Sequence, residues 1–241
     1  MEILVVQHED GTGPGIVGAA LEAVGLRLDL RHPWAGEALP ASLAGHDGLL
    51  VLGGAPNCRD DDAAPWFPAV RALIREAVAG RVPFLGICLG AQLAADCLGG
   101  TVVRRTHPPE LGAVPLRRLP AAADDPVFAR VPDGTSAAQW HWDEVAALPP
   151  DAVPLLSGDD CVHQAFRLGP AAWGVQFHPE VLHADVVPWT ASDGPAARAA
   201  GADPDAALAS LRAAEPALLA VWPATARAWA AVVRDRASAP R

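Results

Sequence analysis

The chain has 241 residues, 51% of them hydrophobic, and a formal charge of −10. That length suits one α/β domain with extensions or two small domains, with enough apolar residues for a sizeable core. An acidic balance without a basic cluster argues against nucleic acid and anionic membranes as partners. No apolar stretch approaches the roughly 18 residues of a membrane helix. Glu2 follows the start at once and Ile3–Val6 is only a strand long, so no signal peptide is read. The expectation is a soluble cytoplasmic protein open to small-molecule chemistry. The four cysteines, Cys58, Cys88, Cys97 and Cys161, form no CxxC pattern and are read as free thiols. No metal or cofactor is expected.

In chain order, Glu2–Gln7 is an apolar run that reads as a buried strand, followed by a Gly/Pro loop over His8–Gly15. Ile16–Val24 has helical spacing and stops at Gly25, and Leu26–Leu30 alternates like a strand. Gly48–Leu52 is a second buried run ending at Gly53-Gly54. Asp60–Asp62 precede a helix over Trp66–Ala79, which they are expected to cap. Val82–Ile87 is a third buried run, and a helix follows from Cys88 to Leu98. Strand and helix alternating through short loops predict a mainly parallel sheet covered on both faces, a flavodoxin-like three-layer α/β sandwich.

The second half changes character. Ala113–Leu119, Ser136–Trp140, Val153–Ser157, Val162–Leu168 and Ala172–Phe177 are short extended runs, predicting a mixed or antiparallel extension of the sheet. The division expected is residues 1–187 as the main domain and 188–241 as a helical extension packed on it. Helical spacing covers Asp205–Ala214 and Leu218–Arg234, with Pro216 and Pro223 as interruptions, and Ser192–Pro204 reads as a mobile surface loop.

Gly86-Ile-Cys88-Leu-Gly90 has the form of a nucleophile elbow with Cys in place of Ser. The preceding strand and following helix supply the context this motif needs. The helix start favours thiolate at Cys88, and the Leu89 N–H is free to stabilise an oxyanion. The same five residues also suit a small buried cysteine at a tight turn, and the motif alone does not separate the two readings. A thiol nucleophile needs a base and the base an orienter. In Val175-Gln-Phe-His178-Pro-Glu180, residues i and i+2 of an extended segment share a face, so Glu180 can fix the imidazole of His178. Cys97 and Cys161 sit in apolar contexts without an elbow and read as structural.

Gly86–Gln92 together with Val175–Glu180 resembles the class I, or triad, glutamine amidotransferase family, with most likeness to its stand-alone, GMP-synthase-like members. The resemblance implies that Cys88 attacks the glutamine side-chain amide, that His178 moves the proton and that Glu180 orients His178. A γ-glutamyl thioester is then hydrolysed. It implies an oxyanion hole from Leu89 and a glycine N–H of Gly53-Gly54, and a grip on glutamine by Gln92. His163-Gln164-Ala165-Phe166 resembles the stretch that binds the substrate's α-amino and α-carboxylate groups, largely through backbone. Gln139-Trp-His141-Trp142-Asp143 departs from the usual pattern in having Trp142 where Gly is usual. His141, Trp142 and Glu110 are expected at the pocket rim. No acceptor-activating module is present, so the resemblance implies a synthetase partner supplied in trans. Two other functions remain open at this point: a partner-independent γ-glutamyl amide hydrolase, and a non-catalytic partner-binding protein on the same scaffold.

Overall fold

The computed structural model describes residues 1–238. In chain order the elements are β1 (Glu2–Val6), α1 (Gly15–Ala23), β2 (Arg27–Arg31), β3 (Gly48–Val51), α2 (Phe67–Ala79), β4 (Phe84–Ile87), α3 (Leu89–Cys97), β5 (Thr101–Arg104), β6 (Glu110–Arg118), β7 (Thr135–His141), β8 (Asp143–Ala147), β9 (Val153–Ser157), β10 (Ala165–Leu168), β11 (Ala172–Val175), α4 (His183–Ala199) and α5 (Pro204–Ser238).

One sheet of nine strands runs in the order β2-β1-β3-β4-β11-β10-β9-β6-β7. Pairing is parallel from β2 through β11 and antiparallel from there to β7. β5 and β8 form a separate antiparallel pair. The apolar runs have no polar face because both of their faces are covered. In β1, Ile3 and Val5 join one buried cluster with α1 and α5, while Leu4 and Val6 join the other with α2 and α3. Those two clusters on either side of one sheet make the three-layer α/β sandwich.

β5 and β8 have no counterpart among the sequence-predicted runs. They are short and largely exposed on one face, so their hydrophobic pattern is faint.

The C-terminal helices depart most from the sequence reading. Ser192–Ala199 is not a loop but the second half of α4, which starts at His183. Its composition is unpromising, but its side chains are anchored: Asp193 accepts a hydrogen bond from Trp140 Nε1 at 3.0 Å, and Ala197 is fully buried. Nor do Pro216 and Pro223 break α5. Each proline removes one N–H bond, to the carbonyls of Arg212 and Leu219. Both of those residues are exposed, so water satisfies the freed groups. The helix is held instead by Leu211, Leu218, Trp222, Trp229 and Val233, which enter the same buried cluster as β1 and α1. The ring of Trp222 lies 4.6 Å from that of Phe177, a pairing worth about 0.5–1.5 kcal/mol beyond its burial. By length and composition α5 also meets the threshold for a membrane span, with an 18-residue window of mean hydropathy 1.3. Alanine, rather than a run of large residues, carries that average, so no continuous apolar run marks the helix in the sequence.

Asp60–Asp62 do not cap α2. That helix starts at Phe67 without a side-chain cap. Asp60 instead accepts the Ala63 N–H at 3.0 Å, and Asp61 pairs with Arg71 at 2.5 Å.

Candidate active site

β3, β4 and β11 are adjacent and parallel, so the segments leaving them emerge at one edge, where open parallel sheets place their ligands. Gly53, Cys88 and His178 all follow these strand ends. Cys88 turns the chain from β4 into α3 at φ 48° and ψ −103°, a conformation that side chains rarely adopt. The flanking glycines are sterically required. A Cβ on Gly86 would lie 2.6 Å from the Gly90 carbonyl carbon, and one on Gly90 would collide with the Val51 carbonyl oxygen. Gln92 N–H bonds the Cys88 carbonyl at 3.0 Å as the first intrahelical bond of α3. The N–H groups of Leu89, Gly90 and Ala91 therefore lack intrahelical partners.

His178 and Glu180 come together as their spacing predicts. Nδ1 of His178 lies 2.7 Å from Glu180 Oε1, and both side chains are buried. The carboxylate fixes the proton on Nδ1 and leaves Nε2 without a protein hydrogen-bond partner among the described residues. Burial opposes a charge on this imidazole, yet Glu180 and then Cys88 outweigh it and hold the pKa well above its ordinary value. The ring position is fixed on two more sides. A Cβ on Gly53 would lie 2.8 Å from His178 Cε1 and 3.6 Å from Cys88 Cβ, so only glycine lets this loop close on both groups. Trp189 of α4 packs against the imidazole at 5.1 Å between ring centres. Glu180 is itself anchored, its carbonyl accepting the Ile16 N–H at 2.9 Å. A thiol, an imidazole with one free nitrogen and a carboxylate behind it are the groups that nucleophile–base–orienter chemistry requires.

The family model for class-I glutamine amidotransferases matches residues 19–186. The chain belongs to the class-I glutamine amidotransferase family. Over 183 residues this amidotransferase is 30% identical to the glutamine amidotransferase-like protein YfeJ of Salmonella typhimurium, covering 75% of this chain and 76% of that one. It is 37% identical over 142 residues to a glutamine-hydrolysing GMP synthase subunit of Thermoplasma volcanium, covering 58% of this chain and 66% of that one. The crystal structure of a glutamine amido transferase from Methylobacillus flagellatus superposes with a TM-score of 0.84 at 30% identity, covering 96% of this chain and 94% of that one.

The remaining candidates of this amidotransferase are dispersed. Gln92 is buried beside the elbow, and its Nε2 donates to the Asp143 carbonyl at 3.0 Å and to Gln176 Oε1 at 3.3 Å. Gly54 sits against His8 and Leu89, where a Cβ would lie 2.8 Å from His8 Cβ. The backbone of Gln164–Phe166 is engaged within the sheet. Gln164 N–H bonds Leu156 and its carbonyl accepts from Gln176, while Ala165 and Phe166 lie in the β10 ladders. The His163 ring is half-buried, and burial lowers its pKa. Glu110 and His141 are not on a rim. They are buried, with His141 Nε2 2.8 Å from Glu110 Oε2 and His141 Nδ1 donating to the Asp143 carbonyl at 2.9 Å. Gln164 donates to Glu110 at 2.8 Å and accepts from Gln139 at 2.8 Å. Cys161 completes a group whose donor atoms lie within 4.8 Å of one another. The His141 and Glu110 atoms of that group already bond to each other. Trp142 alone of the three is partly exposed, capped by the Arg104 guanidinium at 4.6 Å from the ring centre.

Four contributors went unrecognised in the sequence. Asn57, in the loop after Gly53-Gly54, donates to the Asp143 carboxylate at 2.9 Å and ties that loop to the β7–β8 turn. Glu9, in the loop after β1, has its pKa raised by burial. Trp189 and Gln176 touch the triad directly. Only Gln176 carried a signal, its place two residues before His178 on the same face of an extended segment.

Proposed function

We propose that the chain hydrolyses the side-chain amide of glutamine through a Cys88 thioester and delivers ammonia to an acceptor on a partner synthetase. The buried Cys88–His178–Glu180 set on a strand-to-helix elbow carries this reading. The raised His178 pKa supports an imidazolium beside Cys88, and the helix start favours the thiolate form of the sulfur. The thiolate attacks the amide carbon, forming S–C. His178 protonates the departing nitrogen as C–N breaks and ammonia leaves. His178 then takes a proton from water, whose oxygen attacks the thioester. S–C breaks, glutamate departs and the ion pair is restored. The Leu89 N–H, with one from Gly54 or Gly53, would stabilise the oxyanion in both steps. With both hydrogens of the Gln92 amide engaged inward, its oxygen is left to receive the substrate's ammonium. The T. volcanium relative is named as one subunit of a glutamine-hydrolysing synthase, which supports a partner for this chain.

A second reading, a partner-independent hydrolase of bulkier γ-glutamyl amides, is favoured by one observation. Trp142 with its Arg104 cap stands next to Asp143, whose carbonyl holds Gln92. Release of ammonia or amine and of glutamate is measured over a panel of γ-glutamyl amides, without any partner. Weak turnover restricted to glutamine is expected. Fast turnover of a conjugate would favour the second reading. Wild-type rates in Cys88→Ala would sink both.

A further inference from the structure

We propose that Gln176 is a further catalytic residue, whose side-chain N–H donates to the Cys88 sulfur and stabilises it as thiolate. Gln176 is fully buried, and its Nε2 lies 3.6 Å from Cys88 Sγ. The orientation of an amide group is an assignment made from its neighbours, and here the neighbours leave one choice. The Asp143 carbonyl can only accept, so the Gln92 atom 3.0 Å from it is the amide nitrogen. That same nitrogen lies 3.3 Å from the Gln176 side chain, which must therefore present its oxygen there. The nitrogen of Gln176 is thereby turned to the sulfur. A flip of Gln176 would set two donors against each other at Gln92 and an acceptor against the thiolate.

The Asp143 carbonyl is in turn fixed by a second donor, His141 Nδ1 at 2.9 Å, and His141 is held by Glu110. The buried polar network between β6 and β10 thus ends at the nucleophile: it sets Asp143, which sets Gln92, which sets Gln176. The backbone of Gln176 is also fixed, its N–H bonding the Gln164 carbonyl at 2.8 Å. A hydrogen bond to the charged form of a group favours that form. The donor acts twice in the proposed reaction, on the attacking thiolate and on the thiolate expelled by water.

This inference rests on Cys88 being the nucleophile, but it is tested without glutamine. The rate of Cys88 alkylation by iodoacetamide is followed against pH by mass spectrometry, in wild type, Gln176→Leu and Gln176→Glu. A hydrogen bond to a charged group is worth about one tenfold step or more. Gln176→Leu is expected to alkylate about tenfold more slowly at pH 6.5 and to regain the wild-type rate at high pH. Gln176→Glu, which keeps the shape but turns a carboxylate oxygen to the sulfur, is expected to shift further. Unchanged profiles, or a drop of equal size at every pH, overturn the proposal. If neither variant folds, a wild-type measurement decides. The Gln176 side-chain N–H resonance is expected to titrate with the alkylation midpoint, and its failure to move overturns the proposal. A wild type inert toward every γ-glutamyl amide, yet alkylated in this Gln176-dependent way, sinks the proposed hydrolysis and keeps this inference.

Discussion

The described residues hold two buried cysteine–histidine–glutamate groups, and the carboxylate engages a different imidazole nitrogen in each. In the first, Glu180 binds His178 Nδ1, which leaves the other nitrogen for Cys88. In the second, Glu110 takes His141 Nε2 and the Asp143 carbonyl takes Nδ1, so no imidazole nitrogen remains for Cys161. The backbone differs as well. Cys88 sits at a helix start with free N–H groups, whereas Cys161 lies in a loop where burial, Glu110 and Glu144 push its thiol pKa up. The same three residue types leave one imidazole nitrogen open or engage both, according to which nitrogen the carboxylate occupies.

The largest test of this contrast exchanges the two carboxylates for amides. Glu180→Gln is expected to lower kcat by about 10³-fold or more, as loss of the tautomer-fixing carboxylate does in triads. Glu110→Gln is expected to act chiefly on stability, by about 1–3 kcal/mol for a disturbed buried hydrogen bond, read as a lower melting temperature, with a smaller loss of kcat passed on through His141, Asp143 and Gln92. Equal losses of kcat with unchanged melting would erase the distinction. Glu180→Gln also has a pH signature. His178 has a folded pKa above its unfolded one, so its stabilisation is full below about pH 6.5 and is lost as pH rises through the folded value. Denaturant midpoints measured from pH 6 upward should fall in wild type and flatten in the variant.

The smallest effects concern the other thiols. Burial pushes the pKa of Cys58 up to about 12 and that of Cys97 to about 11. A sub-stoichiometric thiol reagent at neutral pH should therefore label Cys88 first. Cys161→Ala should leave kcat/KM unchanged, and a parallel loss of turnover would show that the second group feeds the first through Cys161 itself.

What the sequence made legible follows the range of the forces involved. The buried parallel strands, the elbow glycines and the pairing of His178 with Glu180 are local patterns of period and spacing. The placement of Gln176, Asn57 and Trp189 depends on side chains from elements far apart in the chain, and no local pattern encodes it. His163–Phe166 resembles a binding stretch, and the sheet pairing of Gln164–Phe166 is a long-range feature that the resemblance does not carry. α4 and α5 defied their glycine and prolines because tertiary anchors, Trp140 with Asp193 and the buried face of α5, outweigh weak propensity.

The elbow has a thermodynamic consequence apart from reactivity. Cys88 is held at φ 48°, where a side chain costs about 1–3 kcal/mol and glycine costs little. Cys88→Gly should consequently melt above Cys88→Ala although it fills less space, a reversal of the usual order for a buried site. On that account the native fold tolerates the proposed nucleophile rather than benefiting from it. The chain would be sturdier as an inert protein, and the strain at residue 88 measures in heat what the cysteine is kept for.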